Sequence, residues 1–181
     1  MTNDKHDVEI IDDLSSGYKK NISVGLSDRL IKKQVQEVNN DEIHSIDGIF
    51  HLAAQTSVPI SIENFYTSSA NNILSTIRVF DFAKLFNVPV VYASSSAVYG
   101  NLPLGNDKIE RYDILSPYAQ DKLTQEGYAK MCMNVYGTPS IGLRFFNVYG
   151  PRQDPSNPYS GVISIFIDRL LQNKDVIVNG G

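Results

Sequence analysis

The sequence predicts an α/β fold built on a parallel sheet, and three observations carry the prediction. Short apolar runs of strand length alternate with longer segments of helical period. The short runs are apolar on both faces, as strands covered by helices on each side must be. The residues able to do chemistry gather at the carboxyl ends of those runs, where open α/β sheets bind ligands.

Taken in chain order, the strand-like runs are 8–11, 30–35, 49–53, 88–93, 140–145 and 176–178. Segment 65–86 reads as an amphipathic helix of several turns, with Ile73, Ile77, Phe80 and Lys84 on one flank and Leu74 and Leu85 nearby. Ser116 is a candidate N-cap, Pro117 suits the first helical position, and Gly137 can stop a helix over 118–136. A further helix is expected over 162–173, after a loop rich in Pro and Asn. Segment 36–47 is short, so a curtailed helix is expected there. The chain opens directly into a strand and stops just after another, which reads as a piece cut at both ends.

Composition narrows the function. The 181 residues are 42% hydrophobic, and no run approaches the ~20 apolar residues of a membrane span. Sixteen Lys+Arg against 20 Asp+Glu give a net charge of −4, with no basic run to follow a phosphate backbone. Neither membrane nor nucleic acid is an expected partner. The single cysteine, Cys132, excludes an internal disulfide or a multi-cysteine metal site, and no metal is expected from the scattered His6, His44 and His51. With no apolar leader at the N-terminus, the cytoplasm is the expected compartment.

Four groups of residues carry candidate chemistry. Asp12-Asp13-Leu14-Ser15-Ser16-Gly17 places carboxylates at a strand end, either to accept hydrogen bonds from an adenosine ribose or as a solvated acidic turn. Ser94, Ser95 and Ser96 follow the strand run that ends at Ala93, either facing a site or capping the next element. Tyr118 and Lys122 stand at i and i+4 on one helical face, where an ammonium should lower the phenol's pKa and make it a general acid/base. Arg144-Phe145-Phe146-Asn147 leads into a loop with Arg152, an amide and a guanidinium suited to sugar hydroxyls and diphosphate, or simply surface decoration. The 12 glycines form no glycine-rich turn of the kind that cradles a pyrophosphate.

Taken together and in this order, these segments resemble the extended short-chain dehydrogenase/reductases, specifically the NAD-dependent nucleotide-sugar epimerases and dehydratases. The resemblance runs from Val8 to Gly181 and includes His51-Leu52-Ala53-Ala54, Asn71-Asn72, Ser94-Ser95-Ser96-Ala97-Val98-Tyr99-Gly100, Ser116-Pro117-Tyr118-Ala119-Gln120-Asp121-Lys122 and the segment from Arg144 to Pro155. It implies a Rossmann-like doubly wound parallel sheet, truncated at both ends, lacking the first strand-helix unit and the C-terminal substrate domain. Residues 1–181 would form a partial NAD-binding domain, with 145–181 beginning the substrate-binding part.

By this resemblance the catalytic group is Ser95, Tyr118 and Lys122, and the cofactor is NAD. Asp12, Asp13, Leu14, Ser16, Gly17, Gln34, Val35, Leu52, Ala53, Ala54, Asn71, Ala93, Ser94 and Phe145 would line the cofactor site with Tyr118 and Lys122. Gln34 stands where the family usually has an Asp near the adenine. Ser57, Val58, Ser95, Ser96, Tyr118, Asn147, Arg152 and Val162 would contact a UDP-sugar. Family dehydratases and decarboxylases place acidic residues after the catalytic hydroxyl, whereas this chain has Ser96 and Ala97. The implied reaction is therefore 4-epimerisation of a UDP-glucose or UDP-N-acetylglucosamine type sugar, in a homodimer paired through two long helices. The alternatives are a nucleotide-sugar dehydratase, or a truncated, catalytically incompetent member acting through pairing alone. An interior strand missing from a parallel sheet would leave apolar edges, so poor solubility is expected.

Overall fold

Strands form where the apolar runs predict them, but most are shorter than the runs. The computed structural model describes residues 6–102, 111–156 and 160–178. The chain divides into two units, Met1–Arg144 and Phe145–Gly181. In the first, β1 (Ile10–Ile11) pairs in parallel with β2 (Leu30–Ile31), Ile10 opposite Leu30. β3 (Ile49–His51) pairs in parallel with β4 (Val90–Ser95), His51 opposite Tyr92, and β5 (Ser140–Phe145) lies on the other side of β4. Parallel pairing needs a long crossover. Helices α1 (Val58–Glu63) and α2 (Phe65–Phe86) bridge β3 to β4, and α3 (Pro117–Tyr136) bridges β4 to β5.

The run 30–35 yields only two strand residues because Gln34 and Glu37 form a reciprocal capping box that turns Val35–Glu37 into a 3-10 helix. Segment 36–47 contains no α-helix; Asn40–Glu42 is a second 3-10 turn, capped by Asn39. The run 176–178 is not a strand: Ile177 and Val178 are exposed and have no strand alongside among the described residues. Both long helices end in a left-handed residue, Asn87 at φ 54° and Gly137 at φ 72°, which lets the last carbonyls be bonded.

The buried face of α2 is not the predicted flank. It comprises Ser68, Asn72, Ser75, Thr76, Val79, Phe80, Phe82 and Ala83, whereas Leu74 and Ile77 are exposed. The first half of that face is made of small polar residues that bond one another, so hydrophobicity marks only the second half. Thr76 and Ser75 each return a hydroxyl to the Asn72 carbonyl.

The apolar half of α2 covers both sheets. Val79, Phe80 and Ala83 pack with Val35, Val88, Val90, Tyr92, Ala129 and Cys132, against which Ile11 and Ile49 also rest. Phe82 packs with Val38 and Ile43, joined by Ile31. The Phe80 and Tyr92 rings meet edge to face with centroids 6.1 Å apart. Tyr92 lies across β5 at Gly142, where a Cβ would stand 2.4 Å from its Cζ, so a side chain there cannot be accommodated without moving the ring. Alternation along the strands turns Phe50, Ile141 and Leu143 to the opposite face of the sheet, where they are exposed.

The second unit contains α4 (Val162–Leu171). The Ser164 hydroxyl donates to Gln153 Oε1 and the Asp154 carboxylate accepts from the Ser156 amide at 2.9 Å, which braces the preceding loop. Among the described residues, no helix is long and apolar enough to cross a membrane.

Candidate active site

Helix α3 starts where two hydroxyls satisfy its open amides. Ser116 Oγ accepts from the Ala119 amide at 3.1 Å, the predicted N-cap, and Ser61 Oγ from α1 accepts from the Tyr118 amide at 3.2 Å. One turn later Lys122 stands over the Tyr118 ring, its Nζ 5.8 Å from the centroid. The same Nζ donates to the Ala93 carbonyl at 2.6 Å, tying the helix to β4. Ser95, the last residue of β4, bonds to the Tyr118 side chain and accepts from the Ala97 amide at 3.1 Å. Ser95, Tyr118 and Lys122 are thus one buried group at the carboxyl end of β4.

The electrostatics correct one expectation. Burial pushes the Tyr118 phenol above its ordinary 10, the Ser95 hydrogen bond pulls it down, and the Asp121 carboxylate pushes it up again. The phenol thus stands above rather than below its ordinary value, with the Lys122 ammonium buried and bonded to the Ala93 carbonyl. Burial lowers the Lys122 pKa to about 8, with Asp121 opposing. His51 on β3 is also buried, bonded at 3.4 Å to Thr76 Oγ1, and held near 4 by burial and by the Lys122 charge.

Several residues that hold this group were not singled out from the sequence. Asn72, not its neighbour Asn71, is the buried amide. Its Oδ1 accepts from the Gln55 amide at 2.8 Å, and its Nδ2 donates to the Gln55 carbonyl at 3.2 Å and to Asp121 Oδ2 at 3.0 Å. It clips the loop after β3 to α3. Glu126 faces the sheet one turn past Lys122, a spacing that could have exposed it. It takes two bonds from Arg144, at 2.8 and 2.7 Å. Arg144, on β5, is therefore a structural partner of α3.

The carboxyl ends of β1 and β2 carry the other predicted residues. Asp12 and Asp13 each accept a backbone amide two residues on, from Leu14 at 2.7 Å and Ser15 at 2.9 Å, with Leu14 in the left-handed region at φ 58°. A Cβ on Gly17 would lie 3.9 Å from both Asp12 carboxylate oxygens, close to the turn those oxygens face. Ser16 is exposed in the same turn. Gln34 is exposed and accepts from Gln36 Nε2 at 2.5 Å, which also reaches Asn71 Oδ1 at 3.4 Å, while Val35 is buried in the core. Gln36 Oε1 is buried without a hydrogen-bond partner. After β3, Leu52 and Ala53 are exposed and Ala54 is half-buried. Ser57 caps α1, accepting from Ile60 at 3.3 Å, next to Val58.

Comparison with known proteins adds the family. The model of the NAD dependent epimerase/dehydratase family matches residues 1–181. The chain belongs to that family. It is 35% identical over 188 residues to a putative UDP-glucose 4-epimerase of Methanocaldococcus jannaschii, covering 99% of this chain and 60% of that protein. The UDP-N-acetylglucosamine 4-epimerase of Methanobrevibacter ruminantium M1, solved with UDP-N-acetylmuramic acid, superposes with a TM-score of 0.87 at 38% identity, over 96% of this chain and 58% of that one. A UDP-N-acetyl-alpha-D-glucosaminuronate decarboxylase of Bacillus cytotoxicus is 32% identical over 97% of this chain and 57% of its own length. The chain thus spans under two thirds of the length of each of these relatives, and its fold is that of the Rossmann-like epimerases.

Members of this epimerase/dehydratase family depend on NAD, and the donor set of the first unit fits that cofactor at two places. The Asp12 turn offers acceptors for ribose hydroxyls, and the linked Gln34, Gln36 and Asn71 amides include a buried oxygen, Gln36 Oε1, without a hydrogen-bond partner. Lys122 and the exposed backbone after β3 would hold the far ribose and nicotinamide end. The chain's glycines supply no matching turn for the pyrophosphate. Of the remaining predicted residues, Ser96 is half-buried in the turn after Ser95. Phe145, Asn147, Arg152 and Val162 belong to the second unit and are exposed there, Arg152 with φ 74°.

Proposed function

We propose that the chain is the NAD-binding part of a UDP-hexose 4-epimerase of the UDP-glucose or UDP-N-acetylglucosamine type. The observation that carries this reading is the buried Ser95, Tyr118 and Lys122 group at the end of β4, followed by Ser96 and Ala97 instead of an acid. The segment from Arg152 to Pro155 favours the N-acetyl sugar by its likeness to that type.

When bound, NAD supplies an acceptor that takes hydride from C4 of the sugar and later returns it. Tyr118 removes the proton of the 4-hydroxyl and gives it back to the carbonyl oxygen. Ser95 hydrogen-bonds that oxygen and the phenol, holding the two at proton-transfer distance. Lys122 would hold the ribose hydroxyls of the cofactor and place its positive charge near the phenol. The turn Ser96–Tyr99 carries no carboxylate to take the further proton from C5 that dehydration requires.

Incubating the purified chain with NAD and each UDP-sugar, and reading C4 epimers by proton NMR, tests the reading. Product is expected, with Tyr118→Phe slower by at least about 100-fold. Release of water or CO2 without a C4 epimer would replace it with a dehydratase or decarboxylase. In a second reading the chain acts through pairing alone. Exposed Phe65, Tyr66, Leu74, Met133 and Val135 on α2 and α3 support a homodimer through these helices, which light scattering would measure.

A further inference from the structure

The turn that presents Ser95 is pinned at both ends by one ion pair between α3 and β5. Glu126 of α3 and Arg144 of β5 bond through two parallel contacts, Nε to Oε1 at 2.8 Å and Nη2 to Oε2 at 2.7 Å. Ser94, immediately before Ser95, donates its hydroxyl to Glu126 Oε1 at 2.5 Å. Tyr99, which closes the turn four residues after Ser95, meets Arg144 Nη1 through its phenol oxygen at 3.0 Å and lies under the guanidinium at 4.9 Å. Tyr112, from the segment leading into α3, meets Nη2 at 3.3 Å and packs on the same guanidinium at 5.2 Å. The carboxylate therefore holds the strand end before the hydroxyl. The guanidinium holds both the turn after it and the approach to the helix that carries Tyr118.

We infer that the Arg144–Glu126 pair is a positioning element that sets the Ser95 hydroxyl against the Tyr118 phenol. Neither residue of the pair contacts the phenol, and the inference rests on the functional reading only in giving that phenol a catalytic role. Ser94 and Tyr99 flank Ser95 in the chain, and both are held by a pair whose own planar, two-point contact a single lysine or amide cannot reproduce. The charged groups facing Tyr118 among the described residues are Asp121 and Lys122 on its own helix; α1 and β4 present the hydroxyls of Ser61 and Ser95. The Ser95 bond favours the ionised phenol, so its loss raises the Tyr118 pKa.

The sign of the shift separates positioning from a direct charge effect. Replacing Glu126 by Gln removes a negative charge and leaves Arg144 unopposed, and both changes by themselves would ease ionisation of a nearby phenol. A displaced Ser95 would make ionisation harder.

The test is an NMR titration of the 181-residue chain labelled with [ζ-13C]tyrosine, the Tyr118 signal being assigned by its loss in Tyr118→Phe. Ser95→Ala, Ser94→Ala and Glu126→Gln are each expected to lower the Tyr118 acid-dissociation constant about fivefold, the size of one neutral hydrogen bond. Either of the last two combined with Ser95→Ala should add nothing further. Ser94→Ala leaves the ion pair in place, so it keeps the question open to measurement if Glu126→Gln does not fold. An unchanged or increased constant in both Ser94→Ala and Glu126→Gln, or full additivity with Ser95→Ala, would overturn the inference. The same variants should move the acid limb of the epimerase pH profile upward. A chain that shows the titration shift but no epimerase activity would refute the functional reading and leave the positioning intact.

Discussion

His51 shows how burial alone can set a pH response. It is 4% exposed, and its pKa of about 4 lies well below the ordinary 6.5 because burial and the Lys122 charge both oppose protonation. Between those two values the unfolded chain binds a proton that the folded chain does not, so stability falls as pH drops from 6.5 towards 4 and this contribution levels off below. The loss amounts to at most about 3 kcal/mol. Urea melts at successive pH values should show it, and His51→Gln should flatten that part of the curve. Tyr118 carries the opposite lesson for reading a sequence. Its pairing with Lys122 was legible from the i, i+4 spacing, but the direction of its pKa was not. Asp121, inside the same motif, is buried against Asn72 and pushes the phenol up. Spacing reveals which residues share a face; it does not reveal where a third charge points.

At the scale of elements, α2 works as two half-helices. Its second half is apolar and was legible as core. Its first half buries Ser68, Asn72, Ser75 and Thr76, residues that a hydrophobic pattern assigns to water. Asn72 bonds the Gln55 amide and carbonyl and the Asp121 carboxylate, so Asn72→Ala should remove a partner from two half-buried backbone groups and from one buried carboxylate. A loss of about 3 kcal/mol or more is expected, visible as a fall in the thermal midpoint of several degrees. Ser61→Ala removes one acceptor from the buried Tyr118 amide and should cost about 1–2 kcal/mol. The short strands illustrate the same limit on reading. The apolar runs marked where strands begin, but the Gln34 and Glu37 capping box, a side-chain device, decided where β2 stops.

At the scale of the molecule, among the described residues β1 and β3 each pair on one side only, with β2 and β4 respectively, although both rest on the same helix. The open sides offer unpaired backbone groups, and Phe50, 61% exposed on β3, lies beside one of them. The isolated chain should therefore associate as concentration rises, and Phe50→Lys should reduce light scattering while leaving the thermal midpoint within about 2 °C. The alternation of strands and helices made the fold class legible, whereas the division of the sheet into two parts depends on which strands meet in space. That layout also bears on folding kinetics. The described strand pairs β1–β2 and β3–β4 are parallel, and β3 meets β4 only after an intervening segment of nearly forty residues, so no local hairpin can start the sheet. Docking of the apolar half of α2, which gathers residues from both sheets, is the event that can bring them together. Val79→Ala should accordingly slow refolding in stopped-flow experiments, while Leu143→Ala, on the uncovered face, should chiefly affect unfolding.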